Sequence, residues 1–173
     1  MRNIELKARC GSQAQALRVC ESIHAEPQGE LHQVDTYFGV DKGRLKLREC
    51  SPDADHLVFY RRPDDLHAKA CDYLITPAQQ GLKELLAEAF GVVGVVVKTR
   101  KLWLWKNVRI HLDSVEYLGN FIEFEAVLSD EFDDADGSQK VAWLSEQFGI
   151  RESDLLPSSY IDLLQVQTAL SLR

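Results

Sequence analysis

Along most of the chain, apolar and polar residues alternate with the period of two that marks strands with one buried face. Near the N-terminus Ile4, Leu6 and Ala8 share one face, while Asn3, Glu5, Lys7 and Arg9 share the other. Leu45 and Leu47 oppose Arg44, Lys46 and Arg48, and Ile122 and Phe124 oppose Phe121, Glu123 and Glu125. Lys98 and Arg100 share parity, as do Arg109, His111 and Asp113. Alternation, with β-branched and aromatic content, predicts strands at roughly 2–9, 33–39, 44–50, 56–62, 69–76, 95–105, 107–114 and 120–128. The short turn signals Asp41-Lys42-Gly43, Arg62-Pro63-Asp64-Asp65, Lys106-Asn107 and Leu118-Gly119-Asn120 make several of these strands antiparallel neighbours.

Helices interrupt the series. Ser12 can cap a segment running to about Ala25. Thr76-Pro77 combines a cap with a proline at the first helical position, and Gly91 can end that helix. Ser138 to Phe148 places Val141, Leu144 and Phe148 on one stripe, and Pro157-Ser158-Ser159 precedes a C-terminal helix containing Tyr160, Leu163 and Leu164. The acidic stretch Ser129 to Gly137 reads as a solvated loop. No repeat or linker divides the chain, so residues 1–173 are expected to form one domain. The plan is α+β, and eight antiparallel strands are enough to close a β-barrel with helices packed outside.

Charge narrows the class of partner. The 173 residues carry 20 Lys+Arg against 27 Asp+Glu, a net charge of −7. An acidic surface argues against holding a nucleic-acid polymer or an anionic membrane, both of which need a positive field. The N-terminus lacks a signal peptide's apolar stretch, and the run Phe90 to Val97 is far shorter than the ~20 residues that span a bilayer. A cytoplasmic location is expected. Cys10, Cys20, Cys50 and Cys71 form no C-x-x-C pair and are expected to be reduced thiols. Trp103, Trp105 and Trp143 read as packing residues, and His24, His32, His56 and His67 show no ligand spacing.

The charged strand faces admit two arrangements. One is a sheet whose charged face meets solvent; the other is an inside-out barrel whose charged faces line a cavity. A lumen with that many basic and acidic groups needs counter-charge, which a polyphosphate and a divalent metal would supply together. Glu123 and Glu125 can converge on one hard ion such as Mg²⁺ or Mn²⁺, with Glu5 or Asp113 joining from neighbouring strands. Lys46, Arg48, Lys98, Arg100 and Arg109 would hold phosphate oxygens. Neither a Walker A loop nor a G-x-G-x-x-G motif is present, so side chains rather than a helix N-terminus would do this work.

These residues resemble a known family. The opening Asn3-x-Glu5-x-Lys7 is similar to the E-x-E-x-K signature of the CYTH superfamily, the triphosphate tunnel metalloenzymes. Asp35-Thr36-Tyr37-Phe38, Leu45-Lys46-Leu47-Arg48, Tyr60-Arg61, Val97-Lys98-Thr99-Arg100 and Val108-Arg109-Ile110-His111-Leu112-Asp113 agree in order. So do Phe121-Ile122-Glu123-Phe124-Glu125 and Ser159-Tyr160-Ile161-Asp162. The class IV adenylyl cyclase branch is the most similar.

The resemblance implies an eight-stranded antiparallel β-tunnel that binds a triphosphate with Mg²⁺ or Mn²⁺. Glu5, Glu123 and Glu125 match the metal-binding carboxylates, with Asp113 a further acidic match. Lys7, Lys46, Arg48, Lys98, Arg100 and Arg109 match phosphate-binding positions, and Arg61 stands where a lysine is usual. Lys7, Tyr37 and Arg61 are the implied catalytic residues, Tyr37 matching a tyrosine that helps activate water. Asn3 replaces the first glutamate. The implied activity is conversion of ATP to cyclic AMP and pyrophosphate. One alternative is hydrolysis of inorganic, thiamine or nucleoside triphosphate, and another is a non-catalytic polyphosphate- or nucleotide-binding module. The expected partner is a small-molecule triphosphate, with no nucleic-acid polymer and no membrane, and a homodimer is compatible with the family.

Overall fold

In a computed structural model, residues 2–61 and 68–171 are described. The strands are β1 (Arg2–Arg9), β2 (Glu26–Phe38), β3 (Arg44–Ser51), β4 (His56–Arg61), β5 (Lys69–Pro77), β6 (Val92–Trp105), β7 (Val108–Val115) and β8 (Gly119–Val127). Helices α1 (Gln13–Ser22), α2 (Leu82–Phe90), α3 (Asp134–Gln147) and α4 (Tyr160–Ser171) punctuate them. The strands close into a barrel in the order β1-β5-β4-β3-β2-β6-β7-β8, and β8 returns to β1. Every neighbouring pair is antiparallel. The eight-stranded barrel and the α+β plan follow the sequence pattern.

The core lies outside the barrel wall. Ile4, Leu6 and Ala8 of β1, Ile110 and Leu112 of β7 and Ile122 and Phe124 of β8 pack with Ala16 and Cys20 of α1 and Val141 and Leu144 of α3. A smaller cluster seats Leu86 of α2 on Phe38 and Leu47. The apolar strand faces are therefore spent on helices, and the charged faces turn into the lumen. Trp105 stacks on Trp143 at 4.6 Å between ring centroids, joining β6 to α3 as packing residues do. The four cysteines are free thiols.

Several boundaries differ from the sequence reading. β2 begins at Glu26, where Pro27 and Gly29 hide the strand pattern. Its register against β6 shifts between Pro27 and Gly29, and Gly29 has φ +115, a bulge conformation open to glycine. β6 likewise starts at Val92 rather than 95. Pro77 ends β5 opposite His56 instead of opening a helix, because a residue without an N–H is tolerated at a strand terminus; α2 starts after Gly81. Part of the acidic stretch is helical: Asp133 caps α3 by accepting a hydrogen bond from Asp136 N at 2.9 Å, and Asp134 and Asp136 occupy a first turn that favours negative charge. The Arg62-Pro63-Asp64-Asp65 turn and His67 lie outside the described residues.

α4 lies across the end of the barrel where Tyr37, Val96, Val115 and Phe121 meet. Its entry is fixed by Asp162, which accepts hydrogen bonds from Ser159 N at 2.9 Å and Ser159 Oγ at 2.6 Å. Arg44 of β3 reaches the same carboxylate at 2.7 Å. Gly94 allows the close approach: a Cβ there would lie 2.6 Å from Ile161 Cδ1.

Candidate active site in the barrel lumen

The lumen holds a cavity of about 340 Å³. Of the residues singled out from the sequence, Glu5, Lys7, Tyr37, Lys46, Arg48, Lys98, Arg100, Arg109, Glu123 and Glu125 all line it. Two do not. Arg61 is exposed: Val58 and Tyr60 of β4 face the cavity, so parity turns Arg61 outward, with its guanidinium 5.5 Å from the Phe59 ring. Asp113 is fully buried behind the cavity wall, because it sits opposite Arg100 in the β6–β7 register and is captured there. Arg100 donates to both of its oxygens at 2.7 Å, and the Tyr160 hydroxyl of α4 donates to Oδ2 at 2.9 Å. Asp113 thus anchors Arg100 and α4, and it meets Glu123 only through Arg100 Nη2, which donates to both carboxylates.

One wall, built by β2, β3 and β6, is organised on a single carboxylate. Asp35 is 1% exposed. It accepts from Arg48 Nε at 2.7 Å, Arg48 Nη2 at 2.8 Å, Lys46 Nζ at 2.9 Å and Lys98 Nζ at 2.8 Å. Burial pushes its pKa up, but the charges of Arg48, Lys46 and Lys98 outweigh burial and hold the carboxyl well below the usual range. Three cations share one anion, so the wall keeps a surplus of positive charge. Burial, and then the charge of Arg48, lowers Lys46 to about 7 despite Asp35. Burial likewise lowers Lys98 to about 8, with Asp35 opposing and Arg48 and Arg100 adding to the fall. Tyr37 is pushed well above its ordinary value, first by burial and then by Tyr60 and Asp35, so it keeps its proton.

The facing wall, built by β1, β7 and β8, gathers carboxylates. The register sets Glu5 and Arg109 against Glu125, and Lys7 and His111 against Glu123. Glu123 Oε2 accepts from Arg100 Nη2 at 2.9 Å, and Glu123 Oε1 lies 3.7 Å from Lys7 Nζ. Burial opposes ionisation of Glu123, yet the neighbouring charges of Lys7 and Arg100 keep its pKa well below the ordinary value. Lys7 Nζ also sits 3.9 Å above the Tyr160 ring, a cation–π contact that ties the wall to α4. Ligand atoms of His111, Glu123 and Glu125 lie within 4.8 Å of one another. Buried oxygens of Asn3 and Gln33, both lining the cavity, have no hydrogen-bond partner among the described residues.

The sequence reading missed the hub role of Asp35 and the placement of His111, Gln33 and Tyr160. Asp35 shares parity with Tyr37, and His111 lies between Arg109 and Asp113 on a recognised charged face; in both cases parity was the available signal.

The CYTH domain family matches residues 1–160. No curated protein matches the sequence. Among solved structures, the chain is similar to the PH1012 protein of Pyrococcus horikoshii OT3, at 25% identity and TM-score 0.81, covering 93% of this chain and 98% of that one. It is also similar to a protein of Vibrio parahaemolyticus provisionally named an adenylate cyclase, at 22% identity and TM-score 0.78, covering 94% and 97%. A third, from Hippeastrum, is provisionally named an adenylyl cyclase and described as having a dominant triphosphatase activity; it shares 14% identity at TM-score 0.67, covering 95% and 96%.

Proposed function

The chain belongs to the CYTH domain family, and from that premise we propose that it is a divalent-metal-dependent enzyme acting on a triphosphate inside the barrel, with class IV adenylyl cyclase-like conversion of ATP to cyclic AMP and pyrophosphate. The observation that carries this reading is the division of the lumen into a wall with surplus cations and a wall rich in carboxylates. Glu5, Glu123 and Glu125 are hard oxygen donors suited to Mg²⁺ or Mn²⁺. When bound, such an ion supplies charge neutralisation for the phosphate oxygens. Lys7, Lys46, Arg48, Lys98, Arg100 and Arg109 would hold those oxygens, Arg by forked hydrogen bonds and Lys as point charges.

In the proposed reaction the ribose 3′-oxygen bonds to the α-phosphorus, the bond from that phosphorus to the bridging oxygen breaks, pyrophosphate leaves, and the hydroxyl proton passes to water. The basic wall positions the chain of phosphates and stabilises the charge that develops on the leaving group. Tyr37 keeps its proton and Arg61 points outside, so neither serves as a base, and cyclisation draws its advantage from a hydroxyl already tethered to the phosphate chain. Hydrolysis to release orthophosphate is the second reading, favoured by Lys46, which burial and Arg48 leave near neutrality at about 7, 3.5 Å from the Tyr37 hydroxyl. The activity described for the Hippeastrum structure runs the same way.

Product analysis decides between them. The purified chain is incubated with Mg²⁺ or Mn²⁺ and, separately, ATP, inorganic triphosphate and thiamine triphosphate. Cyclic AMP with pyrophosphate from ATP is expected, orthophosphate release from any of the three substrates establishes the hydrolase instead, and tight binding without turnover reduces the protein to a binding module.

A further inference from the structure

We propose that His111 is a direct metal ligand, and that its ring nitrogen makes this tunnel select Mn²⁺ or Co²⁺ over Mg²⁺. The inference rests on the reading of the lumen as a metal-dependent triphosphate site and adds a ligand and a selectivity to it. His111 is 3% exposed, and its Nδ1 has no hydrogen-bond partner among the described residues. That nitrogen points between two carboxylates, 3.7 Å from Glu123 Oε2 and 3.8 Å from Glu125 Oε1. Both separations are too long for a hydrogen bond and shorter than the roughly 4.5 Å that an intervening water would need. They match the spacing of two ligands each about 2.0–2.2 Å from a shared ion, which lie roughly 3–4 Å apart.

Chemistry supports the same assignment. A buried polar atom without a partner is costly, and a cation seated among the His111 nitrogen and the two carboxylate oxygens removes that cost. The β7–β8 register makes the arrangement rigid: His111 lies directly opposite Glu123, and Glu125 is two residues further along the same strand face. A mixed imidazole and carboxylate set binds first-row transition ions better than Mg²⁺, which prefers oxygen ligands only. Asn3 reinforces the preference, since an amide oxygen stands on this face of β1 where a further carboxylate would have strengthened an all-oxygen site.

Pulsed electron paramagnetic resonance on Mn²⁺ added to the full-length protein, with and without inorganic triphosphate, tests this without reference to turnover. The expected result is ¹⁴N modulation from a directly bound nitrogen that becomes ¹⁵N coupling when the wild-type protein is made with ¹⁵N-histidine. In His111→Gln the coupling should vanish, Mn²⁺ affinity should fall roughly tenfold or more, and the preference for Mn²⁺ over Mg²⁺ should shrink. Mn²⁺ that binds without nitrogen coupling, or coupling that survives His111→Gln, overturns the role of His111 while leaving the tunnel's metal dependence standing. Failure of Mn²⁺ to bind in either state overturns both. The isotope substitution changes no side chain, and His111 is the one histidine lining the cavity among the described residues, so ¹⁵N coupling in the wild-type protein points to it even if the variant folds poorly.

Discussion

The two lumen walls solve the problem of buried charge in opposite ways. Around Asp35 three cations converge on one carboxylate through four short hydrogen bonds, and every oxygen is used. Around Glu123 and Glu125 the contacts to Lys7, His111 and Arg109 stretch to 3.7–3.8 Å, leaving a looser cluster richer in acid. The first wall is pre-organised, with cations in surplus; the second is looser and gathers acid. The net charge of −7 sums the whole chain, and parity lets an acidic protein keep a cation-rich wall inside its barrel.

The largest effect is expected at the Asp35 hub. Asp35→Asn leaves two buried lysines and the half-buried Arg48 without their anion and should cost about 3–5 kcal/mol of stability, read by urea unfolding. Inorganic triphosphate in the buffer should recover part of that loss by replacing the missing charge; a variant as stable as wild type would show that Asp35 is not the organising group. On the other wall, Glu123→Gln should reduce metal-dependent turnover on the order of 10²-fold at a smaller cost in stability than at Asp35, because Arg100 keeps its pair with Asp113. Near-wild-type turnover in that protein would remove the proposed metal site.

Arg48→Ala should raise the KM for triphosphate by roughly ten- to a hundredfold, the worth of one charge-assisted donor pair, with a smaller effect on kcat. An unchanged KM would take β3 out of substrate binding. The lysines predict a pH dependence of definite sign. In the free protein Lys46 lies near about 7 and Lys98 near about 8, chiefly through burial. A bound polyanion favours their charged forms, so affinity is full below pH 7 and is lost as pH rises through these values, by about tenfold per unit for each lysine that must take up a proton. Titration calorimetry in buffers of different ionisation enthalpy should record proton uptake on binding at pH 8. Smallest of all, Arg61→Ala should change turnover less than about twofold, as for an exposed surface side chain; a large loss would return Arg61 to the site.

The charged faces of β1, β3, β6, β7 and β8 were legible because parity alone assigns a strand residue to one side. What alternation leaves open is depth within the lumen. Asp113 shares a face with Arg109 and His111, yet the shift of two residues along β7 carries it from the cavity to a buried pair with Arg100. Arg61 was misplaced for a simpler reason: its position came from family order, whereas Val58 and Tyr60 on the same strand already fix the inward parity. Asp35 stayed hidden because its importance is collective, arising only when β3 and β6 flank β2. The first turn of α3 was obscured by an acidic composition that suits a helix N-terminus as well as a loop.

Closure of the barrel brings β8 back to β1, setting Glu5 against Glu125 and Lys7 against Glu123 across well over half of the sequence. During synthesis Glu5 is therefore made well before Glu123 and Glu125, and the carboxylate cluster waits for β8. Tyr160, which seals Asp113, arrives later still. Such distant pairing is slow to form and leaves strand edges open meanwhile. A lumen with both walls in place is thus a property of the closed barrel, formed once β8 has paired with β1.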